Sequence, residues 1–249
     1  MMKANSRMKD QVLTTVNQCL LNGEVTVSDA DGIHLQEQGS RMKKEVRWVV
    51  HDKVGYYFLK KENVILSNQH MEGSWKIANR QTTTPTDIIR QDVFTLSIDH
   101  GSSPNNGGYA YMVIPSSDPQ SIEKKVEEEG VVILANCPDL QAVRHAGLNM
   151  AYAVFYKGGT LQVHDKIVVE MDSPGMLMVK YNDVGEILAL GVSDPTRFMK
   201  KLHLSVNQKI VWPAQENIQT EWDEKQALTR ISVDLPQNEY AGKSVIYNK

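Results

Sequence analysis

Cysteine is scarce: only Cys19 and Cys137 stand in the 249 residues, and they form no C-x-x-C pair. A zinc site is therefore without support. No disulfide is expected between them, since most free cysteines serve as small buried hydrophobes. No apolar run approaches the ~18 residues of a membrane helix. The N-terminus, Met1-Met2-Lys3-Ala4-Asn5-Ser6-Arg7, is polar and carries no signal-peptide core. Neither acidic nor basic residues strongly predominate. Lys and Arg number 27 against 30 Asp and Glu, for a net charge of −3. Nothing draws the chain as a whole to nucleic acid or to an anionic membrane. No period of 20–50 residues repeats, which argues against a solenoid or propeller. No carboxylate cluster has calcium-loop spacing. Gly107-Gly108 lacks the following helix that a phosphate loop needs.

What is present suits a folded, all-β chain. Apolar residues make up 41% and charged residues 23%, close to globular averages. Short β-type runs recur between turn residues: 12–21, 24–28, 45–50, 56–59, 63–67, 92–98 and 109–114, then 131–135, 150–156 and onward to 243–247. Aromatic and β-branched residues dominate them, as on a half-buried pleated surface. Asn22-Gly23 between two such runs predicts a type I′ hairpin. Lys157-Gly158-Gly159-Thr160 predicts a second. Gln215 to Lys225 is polar and reads as a loop. One segment is helical by pattern, from Ile122 to Glu129. Asp118 and Pro119 suit its start and Gly130 its end. Many short strands with regular turns favour sandwiches. The expected domains are 1–116 and 131–249, joined by a linker at 117–130 that carries the short helix.

Three stretches carry a family resemblance. Gly73-Ser74-Trp75-Lys76-Ile77-Ala78-Asn79 is similar to a G-x-W-x-x-I-N pattern, with the Ile shifted by one place. Phe94 to Gly101, ending Ile98-Asp99-His100-Gly101, leads through Pro104 to Tyr109-Ala110-Tyr111 and Pro115. Gln141-Ala142-Val143-Arg144-His145 is followed by Ser193-Asp194-Pro195-Thr196. Thr14-Thr15-Val16-Asn17-Gln18 fits upstream. In this order they resemble polysaccharide lyase family 8, over residues 10 to 245, and most of all its chondroitin AC-type members. The resemblance implies part of a large antiparallel β-sandwich, the super-sandwich, followed by a smaller C-terminal antiparallel β-sandwich. Such enzymes cleave acidic polysaccharides of chondroitin or hyaluronan type by β-elimination, and are secreted or periplasmic. Their catalytic Asn, His, Tyr and Arg sit on an N-terminal α/α toroid, with a helping Glu early in the central sandwich. No stretch here reads as that toroid, and no residue matches a family catalytic position.

The expected role is thus a non-catalytic, carbohydrate-facing portion of such a lyase. The alternative is a stand-alone carbohydrate-binding β-sandwich protein. No catalytic residue, metal ligand or cofactor is assigned. The carbohydrate-binding candidates are Trp75, Arg80 and His100. Trp48 and Trp75 are expected in the core, although an exposed Trp75 could stack on a sugar. Arg80 and Arg90 bracket Thr82-Thr83-Thr84, a candidate anion-contact loop. His100 follows Asp99 in a strand-to-loop turn, where Asp commonly bonds to nearby backbone. Acid–base work is the functional reading of that pair, and a structural turn is preferred. Trp212 and Trp222 flank a polar loop. An incomplete sandwich would expose an edge and favour self-association.

Overall fold

The computed structural model describes residues 10–79, 81–105 and 107–249. The chain divides into two compact units, one ending at residue 125 and one beginning at 126.

Seven antiparallel strands build the first unit. They are β1 (Gln11–Leu20), β2 (Val25–Asp29), β3 (Gly32–Leu35), β4 (Gly39–His51), β5 (Val54–Gly73), β6 (Ile89–Ser102) and β7 (Tyr111–Ile114). Their order is β1-β6-β5-β4-β2-β3, with β7 also on β5. The length of β5 explains how one sheet makes two layers. Its start, Gly55 to Phe58, pairs with β7. Its later part, Val64 to Gly73, pairs with β6. β4 follows both parts, with register shifts between Lys43 and Val46 and between Val46 and Trp48. Glu45 there takes a φ of 52°. Such bulges bend a strand, and the sheet folds over on itself. Rings from the two layers then meet: His51 stacks on Phe94 at 4.3 Å and Tyr56 lies 6.1 Å from it. Val25, Val27, Val46, Phe58, Leu66, Leu96 and Ile98 fill the space between. The sheet ends, β1 and β3, are each paired on one side only among the described residues.

The turn at Asn22-Gly23 corrects the expected hairpin. β1 pairs with β6, and β2 pairs with β3 and β4. A type I′ turn needs positive φ at both central residues. Only Gly23 has it, at 74°. The Asn22 amide donates instead to His51 Nε2 at 3.0 Å, and its side chain to Asp52 at 2.9 Å. These bonds carry the chain from one layer to the other.

Helix α2 spans Ile122–Glu129, where the sequence pattern puts it. Asp118 Oδ1 accepts the N–H groups of Gln120 and Ser121 at 3.0 and 2.9 Å. Gly130 leaves the helix with φ 58°. Ile122 is fully buried beside Trp48 and Val50.

The second unit is a sandwich of two antiparallel sheets. One has the order β18 (Val245–Asn248), β14 (Ile187–Ser193), β13 (Gly175–Tyr181), β10 (Met150–Phe155), β9 (Leu140–His145), β8 (Val131–Asn136). The other has the order β11 (Gly159–His164), β12 (Ile167–Met171), β15 (Lys201–Val206), β17 (Leu228–Asp234), β16 (Ile218–Asp223). Alternate residues point inward, as the period of two requires: Leu177, Val179 and Tyr181 from one sheet, Leu202, Leu204 and Val206 from the other.

Two further expectations change here. The Gly158-Gly159 turn is not a hairpin, because β10 already has β9 and β13 on its two sides and β11 joins the opposite sheet. At Gly158 a Cβ would sit 2.6 Å from the Asp172 carbonyl oxygen, so the close backbone approach calls for glycine. Residues 215–225 are not all loop, since β16 lies within them and pairs with β17. β16 is a sheet edge with only Ile218 buried, so its outward residues are polar and its strand pattern is weak.

Candidate functional site

Trp75 starts the short helix α1 (Trp75–Ala78), in the loop between β5 and β6. Ser74 caps it by accepting the Lys76 N–H at 3.2 Å. The expected core position is wrong for this tryptophan: its side chain is 60% exposed, and Ile77 and Ile88 are exposed near it in sequence. α1 buries no residue, so the loop offers Trp75 no core to join. Trp48, by contrast, is fully buried. Arg80 lies outside the described residues. Arg90 is partnered, its Nε 2.6 Å from Glu72 Oε1 across the β5–β6 ladder. It is therefore not a free cation for the threonine loop.

His100 sits near the other end of β6. Its Nε2 is 2.8 Å from Thr14 Oγ1 on β1. The Tyr109 ring is 5.9 Å away and stacks in turn with Tyr111 at 6.1 Å. Asp99 does not face the imidazole. Its Oδ1 accepts the Gly101 N–H at 2.8 Å, closing the turn as the structural reading holds. The two described candidates are thus not brought together. Ile89, which pairs with Gly73 beside the Trp75 loop, is separated from His100 by about 36 Å of extended strand. Trp212 and Trp222 are half-buried. Trp212 packs edge-on against Tyr247, and Lys209 lies over Trp222 at 5.7 Å.

The sequence reading missed a cluster in the first unit. Cys19 Sγ lies 3.8 Å from His51 Nδ1, with Asn17 Nδ2 at 3.5 Å from the sulfur and 2.5 Å from the Tyr56 hydroxyl. A cysteine beside a histidine invites a nucleophile–base reading. The hydrogen bonding rejects it. His51 Nε2 accepts a backbone N–H, which can only donate, so the neutral ring carries its proton on Nδ1, toward the sulfur. The imidazole cannot also take the thiol proton there. Burial pushes the His51 pKa below 6.5, against a smaller opposing pull from Asp52. The unfolded chain therefore binds the proton more readily than the folded one. The stability this histidine contributes is complete above pH 6.5 and is lost as the pH falls from there through the folded-state value. Thermal midpoints between pH 7.5 and 5 should fall more for the native chain than for His51→Gln. Equal slopes for the two would refute this assignment. No local signal in the sequence marks the cluster, because its members are up to 39 positions apart.

No group of three or more His, Cys, Asp or Glu side chains suited to a metal ion occurs among the described residues. No described helix is long and apolar enough to cross a membrane.

The architecture is that of an all-β protein with a folded-over sandwich followed by a two-sheet one. Two family models match it in the same order. Polysaccharide lyase family 8, super-sandwich domain, matches residues 1–126, and the family's C-terminal beta-sandwich domain matches residues 132–203. The chain belongs to polysaccharide lyase family 8. Chondroitinase-AC of Pedobacter heparinus is 33% identical over 242 residues, which cover 97% of this chain and 32% of that protein. Xanthan lyase of Bacillus sp. (strain GL1) is 26% identical over 144 residues, 58% of this chain and 15% of that protein. A solved structure of chondroitinase AC lyase from a study of its oligosaccharide complexes superposes with a TM-score of 0.79 at 34% identity. That match covers 98% of this chain and 33% of the other. Paenibacillus xanthan lyase superposes with a TM-score of 0.81 at 21% identity, covering 97% of this chain and 24% of the other, and so shares the fold. The chain spans about a third of the length of Chondroitinase-AC.

Proposed function

We propose that these residues form the non-catalytic, carbohydrate-facing β-sandwich portion of a lyase that cleaves acidic polysaccharides of chondroitin or hyaluronan type outside the cytoplasm. The two domains are taken as 1–116 and 131–249, with 117–130 as the linker. The observation that carries this reading is the ordered match of both domain types, with one-third identity to Chondroitinase-AC along nearly the whole chain. The site geometry agrees with a supporting role. β-Elimination must neutralise the uronate carboxylate, remove the weakly acidic C5 proton and protonate the leaving oxygen. Those tasks need several polar groups converging on one sugar within hydrogen-bond reach. Trp75 lies in the loop before β6 and His100 near the far end of that strand, and His100 Nε2 is engaged with Thr14. The exposure of Trp75 supports a role in stacking on a sugar ring.

The test joins activity to binding. Chondroitin sulfate and hyaluronan are incubated with the chain at high concentration, and unsaturated uronate is followed by ultraviolet absorbance. No product is expected. Chondroitin oligosaccharide binding should weaken on Trp75→Ala by about tenfold, the scale of one aromatic contact. Product that disappears on His100→Ala would refute the non-catalytic reading. Unchanged affinity in the Trp75 variant would remove the stacking role.

A further inference from the structure

We propose that loops 194–200 and 237–243 of the second unit form a separate subsite for an acidic polysaccharide. Phe198 and Tyr240 would offer their faces to sugar rings, and Arg197 and Lys243 would meet carboxylate or sulfate groups. The choice of an acidic glycan rests on the proposed function. The subsite itself rests on the geometry below.

Phe198 is 88% exposed and Tyr240 is 60% exposed. Neither ring serves the core. The backbone that carries the Phe198 ring is held. Asp194 Oδ2 accepts the N–H groups of Phe198 and Met199 at 2.9 and 2.8 Å. Its Oδ1 accepts the Thr196 N–H and hydroxyl at 2.8 and 2.6 Å. Met199 packs against the core just beyond. Phe198 is thus pinned through its backbone while its side chain faces water. Gln237 Nε2 donates to the Met199 carbonyl at 3.1 Å and to Leu235 at 2.9 Å, clasping the second loop to the first. Contact continues at Gly242, with φ 89°, where a Cβ would sit 3.1 Å from Arg197 Cγ.

Arg197 holds a left-handed backbone, φ 67°, which is uncommon and costly for a residue with a Cβ. Its side chain is exposed, and its guanidinium has no ion pair or hydrogen bond among the described residues. Lys243 Nζ lies 5.9 Å over the Tyr240 ring. The nearby acids are mostly spent: Asp194 on its four donors, and Asp234 on Lys201 at 3.2 Å. Asp194 keeps its charge but is turned toward those neutral donors, so Arg197, Lys200 and Lys243 stand against Asp194 and Glu239, a small cationic excess on a chain of net charge −3. Cations without a carboxylate partner among the described residues, beside exposed rings on a loop whose backbone is already hydrogen-bonded, suit a charged sugar polymer. The cations bind carboxylate or sulfate, the rings take sugar faces, and little ordering cost remains.

The experiment follows backbone amide shifts of the full chain while a chondroitin hexasaccharide is added, and measures affinity by calorimetry. Chitohexaose serves as a neutral ring polymer and polyglutamate as an acyclic polyanion. Amides of 196–200 and 240–243 should shift with the hexasaccharide. Phe198→Ala should weaken binding at these amides by about tenfold. Arg197→Gly should do so comparably, and it suits the left-handed backbone, so the loop is retained. Polyglutamate binding should be indifferent to Phe198→Ala. Shifts confined to the Trp75 loop would overturn the subsite and leave the first-unit reading standing. Shifts in these two loops that persist in a Trp75→Ala chain would support the subsite whatever becomes of Trp75. Unchanged affinity in both loop variants, no shifts at all, or a hexasaccharide as indifferent to Phe198→Ala as polyglutamate would each overturn it.

Discussion

Asp194→Ala is expected to destabilise the second sandwich by about 3 kcal/mol, lowering its thermal midpoint by roughly 10 °C. The side chain is 4% exposed and accepts four hydrogen bonds within five residues of its own position. Bonds to an ionised acceptor are stronger than neutral ones. Alanine leaves the N–H groups of Thr196, Phe198 and Met199 without their partner. Water can reach those of the exposed loop residues, so the largest single loss falls at half-buried Met199. Asp194→Asn should recover little, because its amide NH₂ must face two donors. Burial pushes the Asp194 carboxyl up, but Thr196, Met199 and Phe198 together hold it below 3.8. Its contribution is therefore present above pH 3.8 and lost as the pH falls through the folded-state value. Calorimetric midpoints at pH 7 and pH 3 should differ more for the native chain than for Asp194→Ala. A loss below about 1 kcal/mol at pH 7 would show that the loop is held by something else.

The strands were legible wherever one face is buried, because alternation survives in the sequence: Leu202, Leu204 and Val206 are buried while Lys201 and His203 face out. The helix at Ile122 was legible through Asp118 and Gly130, since its start and stop are local chemistry. Pairing was less legible. Asn22-Gly23 and Gly158-Gly159 mark reversals correctly, yet neither joins a hairpin. A turn reports its own backbone, whereas the partner of a strand depends on edges occupied by distant residues, as β9 and β13 occupy β10. β16 was missed because a half-solvated edge strand resembles a polar loop. Trp75 was misplaced for a related reason. A large aromatic is buried only if its element has a face to bury, and a four-residue helix at a loop tip has none. The candidate residues were legible by type and by family pattern but not by distance. Nothing local places Trp75 and His100 at opposite ends of one ladder, or makes the carboxylate of Ser193-Asp194-Pro195-Thr196 the anchor of Phe198.

Trp48→Ala should destabilise the first unit by about 3–5 kcal/mol, the range for truncating a fully buried large aromatic side chain. Trp48, Val50 and Ile122 form a core of their own, apart from the one between the two layers, with Tyr57 and Ile114 packed against it. Its indole Nε1 donates to Glu123 Oε1 at 3.2 Å. One side chain therefore supports both the apolar and the polar contact of the first turn of α2. The fit at this place is tight: a Cβ on Gly55 would come within 2.6 Å of Ile122 Cδ1. The cavity left by alanine cannot close by sliding the helix inward, because the Gly55 backbone on β5 stands in the way. Trp48→Phe keeps most of the ring and loses the indole bond, at a cost of about 1 kcal/mol beyond its packing change. Urea unfolding gives the loss, and hydrogen exchange locates it. The Ile122 and Lys125 amides, bonded to the carbonyls of Asp118 and Ser121, should exchange faster in Trp48→Ala and much less so in Trp48→Phe. A loss below about 2 kcal/mol, or helix amides as protected in Trp48→Ala as in the native chain, would mean that α2 is seated by other contacts than this one.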